Sequence, residues 1–435
     1  MRRKIVGALL LTASLLVANA QSGTNSPYSQ FGLGVMAERS NGPGRGMNGL
    51  GIGFFEHNQV NPLNPASYAC IDSLSFIFDV GMSGQLTNFE ENGKRVNAKN
   101  ADFEYAVGAF RMAPYFGFSF GVLPYSNVGY GYKTTGRVGG NSTDYFTSTY
   151  SGKGGIHQVY VGAGWEPFKG VALGVNVGYL WGGYERSLTN IYSDSYVNTN
   201  SKFYTADVKS YTLDVGVQLT KKVSAKDMMT VAATYGYGHK IGGDPICKVI
   251  SYNSQTSIAD TTSYPKSGKM DLEIPSTYGL GLMWYHAEKV KVGMDYTLMK
   301  WTGLKFPEYT TDANGVVDYH LQSGMFNNRH RLTVGAEICP GGASSRQYVA
   351  RVRYRAGVSY ATPYLNINGH DGPKELSASI GLGLPILNRW NNRSILNISA
   401  QYVRQASNVF ITENTFRVNV GLTFNERWFD KWKVE

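Results

Sequence analysis

Large apolar residues occupy every second position in repeated runs between about residue 74 and residue 424. Near the C-terminus, Phe416, Val418, Val420, Leu422 and Phe424 alternate with polar or small residues. Successive side chains of a β-strand point to opposite faces, so a period of two indicates a strand with one apolar face. The pattern predicts an all-β fold. About fourteen runs follow it, near residues 74–88, 102–112, 114–123, 143–166, 169–190, 202–220, 227–250, 268–286, 288–306, 325–339, 347–364, 373–388, 393–409 and 413–425.

The connections between these runs alternate in length. Those after even-numbered runs are tight, whereas those after odd-numbered runs include long stretches such as 304–327. An even strand number, tight turns at one end and long loops at the other are typical of bacterial outer-membrane barrels. We therefore predict a 14-stranded antiparallel transmembrane β-barrel over residues 73–435. A soluble β-sandwich is the alternative, but its strands are usually nearer five or six residues long.

The N-terminus has the pattern of an export signal. Residues 2–4 are basic, residues 5–18 are apolar, and Ala18-Asn19-Ala20 supplies the small residues of a cleavage site. We predict a signal peptide over residues 1–20 and a location in the bacterial outer membrane. The formal net charge of +10 would ordinarily raise nucleic acid as a partner. Export leads us to expect no nucleic-acid partner.

Residues 21–72 do not alternate and are rich in Gly, Asn and Pro. Eight strands close a barrel that its own side chains fill, and sixteen or more leave an aqueous channel, so fourteen strands should leave a lumen that needs filling. We predict that residues 21–72 form an N-terminal plug, or hatch, inside the lumen. Its characteristic motif contains Asn61, Pro62, Asn64, Pro65 and Ala66.

A series of short motifs runs through the chain. They are Asn64-Pro65-Ala66, then Leu272-Glu273-Ile274-Pro275 followed by Tyr278-Gly279-Leu280-Gly281, then Asp295-Tyr296 with Trp301, then the segments 329–336 and 355–363. In this order they resemble the motifs of the FadL family of outer-membrane transporters for hydrophobic compounds. The resemblance implies a fourteen-strand barrel with an N-terminal plug that releases hydrophobic ligand sideways through a strand distortion. The segment 27–32 is similar to members from Bacteroidetes-type bacteria.

Inward-facing cations are the candidates for ligand binding, because a guanidinium can bind both oxygens of a carboxylate. If the apolar residues at 348, 350, 352 and 354 face lipid, then Arg351, Arg353 and Arg355 face the lumen. Arg331 and Asp295 have the same inward phase on neighbouring strands. We predict that these five charged residues contact the ligand.

Barrel stability is the alternative role for these charges. Glu337 and Arg351 flank a predicted periplasmic turn and could pair across strands, while the other arginines bind plug carbonyls. For a lateral opening the candidate is Pro124, because proline cannot donate to a ladder and is found at bulges or edges. The alternative is that the third strand simply ends there.

Two functions from different classes remain. The first is passive uptake of hydrophobic small molecules such as long-chain fatty acids, with no cofactor and no energy coupling. The second is a FadL-like barrel that acts as a binding or shuttle subunit of a secretion system. An apolar lumen favours the first function, and a lumen closed by polar contacts favours the second. We expect a monomer surrounded by outer-membrane lipid, with a hydrophobic or amphipathic small molecule as its partner.

Enzymatic and metal chemistry are disfavoured by the positions of the histidines. A hydrolase needs a histidine beside a serine or aspartate near the outer rim, and only His239 near Asp244 and His370 beside Asp371 are so placed. The seven histidines form no ligand pair of familiar spacing. Three cysteines, an odd number, exclude a complete disulfide framework. We expect a protein that is not an enzyme and holds no metal.

Overall fold

The computed structural model describes residues 23–139, 143–266, 268–287, 289–311, 316–342, 345–386 and 394–427. The predicted signal peptide lies outside these residues. No helix among them is long and apolar enough to cross a membrane.

Fourteen antiparallel strands form a closed barrel. The cylinder closes because β1 pairs both with β2 and with β14, the last strand. The strands are β1 (Ser75–Glu91), β2 (Lys94–Ala113), β3 (Phe116–Arg137), β4 (Tyr145–Phe168), β5 (Val171–Tyr192), β6 (Thr199–Lys222), β7 (Asp227–Gly236), β8 (Ser276–His286), β9 (Val290–Lys300), β10 (Arg329–Ile338), β11 (Arg353–Ala361), β12 (Lys374–Pro385), β13 (Ile395–Ala406) and β14 (Thr412–Arg427).

The predicted architecture is confirmed, but several individual runs are corrected. The run predicted over 114–123 continues as β3 to Arg137, so the alternative that the third strand ends at Pro124 is wrong. The run predicted over 227–250 ends as a barrel strand at Gly236, and the chain continues into a hairpin, Ile246–Asn253 with Ile258–Tyr264, that extends the sheet beside β6. The run predicted over 347–364 becomes a strand only at Arg353. Tyr348–Arg351 instead form a short helix, α2, in the turn between β10 and β11.

Apolar side chains cover the outer face of the barrel. Leu280, Ile380 and Phe416 are 59%, 67% and 50% exposed, whereas their inward-facing neighbours are polar or small. Exposing such a continuous apolar band to water would be costly, and hydrocarbon is the solvent that suits it. Several inward-facing positions are glycine because the N-terminal chain lies very close to the wall there. At Gly117 and Gly174 an added Cβ would lie within 2.2 Å of the backbone at Tyr68 and Pro65, so the chain inside could not approach the wall.

We call residues 23–72 the N-terminal segment. It contains the 3-10 helices Pro27–Gln30 and Pro65–Cys70, a two-residue strand Val35–Met36, and a short helix α1, Gly42–Gly46. Asparagine caps begin the last two helical elements: Asn41 accepts a hydrogen bond from the Gly44 amide, and Asn64 accepts one from the Ala66 amide. Proline stands two residues after Asn41 and directly after Asn64, in the first turn where its missing N–H is harmless. These turns fold the segment compactly against inward-facing residues of the wall.

The barrel wall is much taller on one side. Strands β3 to β6 have 22 to 24 residues, whereas β8 to β11 have 9 to 11. Loop hairpins cover the low side, including Phe306–Thr311 with Val317–Gln322. A strand needs only about 9–11 residues to cross a membrane, so the tall side projects well beyond it.

One ladder of the wall is incomplete. β2 and β3 pair only between Ala106–Ala113 and Phe116–Val122, and in the described chain their remaining halves have no ladder between them. We call this break, between residues 94–105 of β2 and residues 123–137 of β3, the wall seam. The N-terminal segment bridges it. Val35 and Met36 pair with Asn127 and Ser126 of β3, and Asn25 donates to the carbonyl of Lys99 in β2.

Replacing Leu280 by lysine tests whether the apolar face contacts lipid. We expect Leu280→Lys to lower the free energy of unfolding by about 2–4 kcal/mol in lipid vesicles, because a cation in the middle of the lipid-facing band loses its hydration. Urea titration of the refolded barrel measures this. Ile258→Lys is the matched control, since Ile258 is 64% exposed but lies in the loop hairpin. Equal losses for both variants would contradict a lipid-facing β8.

Candidate functional site: the filled barrel lumen

Near the short-turn end, the lumen contains a buried charge cluster around Glu337 of β10. Its carboxylate binds Lys291 Nζ at 2.9 Å, Arg353 Nη1 at 3.2 Å and Arg355 Nε at 2.6 Å. Lys291 also binds Glu56 of the N-terminal segment at 2.5 Å. The cross-strand register explains the grouping, because Glu337 lies opposite both Lys291 and Arg355. The cluster ties three strands and the N-terminal segment together.

The predicted arginines differ in their surroundings. Arg353 and Arg355 point inward as predicted, but both are already paired with Glu337, and Arg355 also donates to Asn397 at 2.7 Å. The inward strand position predicted for Arg351 is wrong. Arg351 lies in α2, and the turn around it is closed by the Gly341 amide donating to the carbonyl of Ala350. The apolar alternation that suggested a strand there belongs to a compact turn.

Asp295 and Arg331 hold the middle of the N-terminal segment. One carboxylate oxygen of Asp295, Oδ2, accepts hydrogen bonds from the amides of Gly51 and Ile52 at 2.7 and 2.8 Å. Arg331 donates to the carbonyl of Asn48 at 3.2 Å. Both predicted ligand residues therefore contact the chain's own backbone.

Further ion pairs fix the segment on other sides. Arg45 of α1 binds Glu104 of β2 at 2.9 Å, and both side chains are almost fully buried. Arg39 binds Asp214 of β6 at 2.8 Å. Because β2 and β6 lie on different sides of the cylinder, these pairs anchor the segment across the lumen. None of the four residues was among the predicted site residues.

Asparagine residues of the predicted plug motif make internal bonds. Asn61 donates to the carbonyl of Gly51, and Asn64 donates to the carbonyl of Ile52. Pro62 accepts a hydrogen bond from Asn176 of the wall. Pro65 and Ala66 begin the second 3-10 helix, and all residues of that helix are buried. The motif therefore closes the segment on itself and sets its last turn against the wall.

A cavity of about 270 Å³ lies between the N-terminal segment and the wall. Its lining is strongly charged. Within it, Asp295 Oδ1 and Arg331 Nε are buried without a hydrogen-bond partner, which indicates a hydrated space. The charged lining residues are Glu38, Arg39, Asp102, Glu104, Asp214, Asp295, Arg329, Arg331, Glu375 and Arg417.

Glu38 shows how the charges are balanced in this space. Burial acts to raise the pKa of the Glu38 carboxyl, but nearby Arg45 and Arg331 outweigh it and hold the pKa below its ordinary value. Glu38 therefore stays ionised near neutral pH. The lumen around it carries fixed charges of both signs.

Above the cavity, toward the long-loop end, the lumen is apolar and closely packed. We call this cluster the apolar cap. Trp301 at its centre is 1% exposed and packs against the tilted rings of Phe326 and Tyr364, with ring centroids 5.3 Å apart in each pair. Its buried members are Tyr28, Leu33, Tyr125, Val128, Ile156, Leu180, Tyr184, Ala206, Val208, Ile241, Leu272, Ile274, Trp301, Phe306, Phe326, Leu365 and Ile367. They come from the N-terminal segment, the wall and the loops together.

Pro124 lies at the base of the wall seam, two residues beyond the last β2–β3 pair at Val122. On its other side, a bulge between Pro124 and Ser126 shifts the register with β4. This is the position that a proline without an N–H donor suits. A role in ligand release remains a prediction.

The residues considered for other chemistry have structural partners. His239 stacks on Tyr211 at 4.2 Å, and Asp244 binds Lys269 instead of a histidine. Cys70, Cys247 and Cys339 are buried and unlinked. Over the ranges that the structure describes, His, Cys, Asp and Glu form no group able to hold a metal ion.

Glu337→Gln tests the importance of the buried charge cluster. We expect it to lower the free energy of unfolding by about 3–5 kcal/mol, because three cations lose their shared carboxylate in a buried site. Urea titration of the barrel in lipid vesicles gives this value. The control is Glu90→Gln, which breaks an exposed pair with Arg95 and should cost about 0–1 kcal/mol. A loss for Glu337→Gln no larger than for the control would contradict a structural role.

Comparison with solved structures identifies the fold. The chain is similar to the CymD monoaromatic hydrocarbon channel, with 14% identity, a TM-score of 0.62, and coverage of 91% of this chain and 100% of that one. A Pseudomonas aeruginosa FadL homologue has 14% identity and a TM-score of 0.61 over 90% and 99% of the two chains. The Ralstonia pickettii toluene transporter TbuX has 12% identity and a TM-score of 0.59 over 89% and 98%. The FadL-type fold implied by the motifs is confirmed.

Sequence comparison places the chain more narrowly. No curated protein matches it. The family model described as BamG matches residues 1–435. The chain therefore belongs to the BamG family and has the fold of the FadL-type outer-membrane channels.

Proposed function

We propose that this protein is an outer-membrane barrel with a permanently filled lumen, and that it acts as a binding subunit of a larger assembly in the cell envelope. The observation that carries the proposal is the set of buried ion pairs between the N-terminal segment and the wall. Arg45–Glu104 and Glu56–Lys291 join the segment to opposite parts of the barrel. The segment thus functions as a fixed plug.

The energetic argument concerns displacement of this plug. Removing one partner of a buried ion pair typically costs about 3–5 kcal/mol. A plug that moved aside would break several such pairs together, along with the Asp295 bonds to the Gly51 and Ile52 amides. Total stabilities of ordinary domains are only about 5–15 kcal/mol. Passive transport supplies no energy for that displacement, which favours a filled barrel over a wide pore.

The charged cavity supports the same conclusion. Sites for hydrophobic ligands are lined mainly by apolar and aromatic side chains with a few polar groups. Here the cavity lining carries charges of both signs, including Glu38, Arg331 and Arg417. The predicted ligand arginines Arg353 and Arg355 are engaged by Glu337. A lumen closed by polar contacts favours the binding-subunit function.

The barrel ends differ in a way that sets its orientation. In outer-membrane barrels the short turns face the periplasm and the long loops face outward. The apolar cap and the loop hairpins then lie on the outer side, and the Glu337 cluster lies near the periplasm. We place the protein in the outer membrane on this basis.

Uptake of hydrophobic compounds, including long-chain fatty acids, is the second candidate function. Two observations favour it: the apolar cap reaches from the loops into the lumen, and the wall seam interrupts the barrel beside it. Its proposed route would run from the cap through the seam past Pro124. The fold likeness to channels titled for monoaromatic hydrocarbons and toluene is compatible with such cargo.

Uptake and size measurements distinguish the two functions. In a Gram-negative host without its own fatty-acid channel, we expect expression of this protein to leave uptake of labelled oleate at background, because the polar plug stays in place. After gentle detergent extraction from native membranes, the protein should migrate on a native gel as a species clearly larger than the same protein purified alone in that detergent. Severalfold faster oleate uptake together with a monomeric native species would sink the proposal and favour the second candidate.

A disulfide across the seam tests the second candidate directly. Val35 and Asn127 are paired neighbours of the N-terminal segment and β3, so Val35→Cys with Asn127→Cys should crosslink on oxidation. If hydrophobic compounds leave through the seam, oxidation should abolish uptake and reduction should restore it. Val334→Cys with Val358→Cys, a pair on β10 and β11, is the control. Equal uptake in the oxidised and reduced seam variant would exclude this route.

A further inference from the structure

Three consecutive short turns form a continuous band at the periplasmic end. They lie between β2 and β3, between β4 and β5, and between β6 and β7. Backbone hydrogen bonds join neighbours: the Glu166 amide donates to the carbonyl of Tyr115, and the Thr220 amide donates to the carbonyl of Gly170. We call this band the turn arc, comprising residues 111–115, 168–170 and 221–226.

The turn arc exposes large apolar side chains where barrel turns need only polar residues. Met112, Tyr115, Phe168 and Val223 are 67%, 58%, 74% and 62% exposed. Single exposed apolar residues are ordinary, but a contiguous set on adjoining turns marks a contact surface.

The same arc is positively charged. Lys169, Lys221, Lys222 and Lys226 are exposed, and none forms an ion pair with any residue that the structure describes. Nearby carboxylates are occupied by local bonds. Glu166 accepts from the Gly170 amide at 2.6 Å, and Asp227 accepts from Ser224 Oγ at 2.5 Å and contacts His286 Nδ1 at 2.8 Å.

We propose that the turn arc is the docking surface for a periplasmic protein that presents an acidic face with apolar pockets. The proposal rests on the binding-subunit function and names the partner's chemistry. Unpaired lysines around apolar side chains give the arrangement of a protein interface, in which aromatic anchors supply affinity and surrounding charges steer the encounter.

The position of the arc favours a protein over membrane lipid. Trp165 of β4 is outward-facing and 52% exposed, as expected at the membrane interface. Phe168 and Lys169 follow it toward the turn, beyond a bulge between Trp165 and Phe168, and the two opposite residues of β5 advance roughly 5 Å along the barrel axis. Lys169 and Gly170 are the only residues between β4 and β5, so they form the apex of the turn. The apex faces the periplasm, beyond the lipid band.

Site-specific photocrosslinking in living cells tests the arc. A benzophenone amino acid replaces Phe168 in one variant and Met112 in another, with Tyr196 as the control because it is 80% exposed at the long-loop end. We expect ultraviolet light to give one adduct from both arc positions and not from position 196. Mass spectrometry should identify the attached protein as periplasmic, with an excess of acidic residues.

Charge reversal tests the chemistry of the contact. Lys169→Glu with Lys222→Glu and Lys226→Glu should reduce the adduct at least about tenfold, while arginine at the same three positions should preserve it. Heat-modifiable migration on gels confirms that each variant is folded. An adduct insensitive to charge reversal, an adduct only with phospholipid or a second copy of this chain, or no adduct would overturn the proposal.

The turn arc as a docking surface and the binding-subunit function can be refuted separately. A native assembly that persists without arc adducts would refute the turn arc and leave the binding-subunit function standing. Absence of any native assembly would refute both.

Discussion

The width of a fourteen-strand cylinder is the constraint on which the rest of the structure depends. Such a lumen is too wide for the wall's own side chains to fill, and the inward faces of its strands carry charges that must be paired. In the proposed function the N-terminal segment meets both requirements as a plug. Arg45 neutralises Glu104 of β2, Glu56 binds Lys291 of β9, and Asp295 of β9 accepts two backbone amides of the segment.

The outer and inner faces of the barrel have different roles. For this reason a chain with the fold of the hydrocarbon channels can have a filled interior. The outer face is adapted to lipid and follows from strand alternation alone. The inner face is adapted to the segment inside it. At the long-loop end the contacts are apolar and centred on Trp301, whereas the middle holds a small charged cavity. The proposed function therefore depends on what occupies the lumen and on the two ends of the barrel that project from the membrane.

The barrel wall could be predicted from the sequence, but the contacts in its interior could not. Alternation and the parity of connection lengths are local signals, so strand number, order and the outward face could be predicted from them. Tyr348–Arg351 were misassigned because a short amphipathic turn and a strand share an alternating pattern over a few residues. The run predicted over 227–250 joins β7 to the first residues of the hairpin strand Ile246–Asn253.

The partners of the inward charges could not be predicted, because they are distant in sequence. Nothing near Arg45 indicates that it will meet Glu104, and the pairing of Arg355 with Glu337 instead of a ligand depends on cross-strand register. A lone basic residue in a glycine-rich segment was the available signal for Arg45. The wall seam also had no local signal except Pro124, since a missing ladder is a property of two strands together.

Hydrogen–deuterium exchange of the protein in lipid nanodiscs tests most directly whether the N-terminal segment is a fixed part of the barrel. The account predicts that the amides of residues 45–52 exchange as slowly as those in the centre of β9, since both are held by buried partners. Exchange of these amides within seconds, while β9 remains protected for hours, would contradict it.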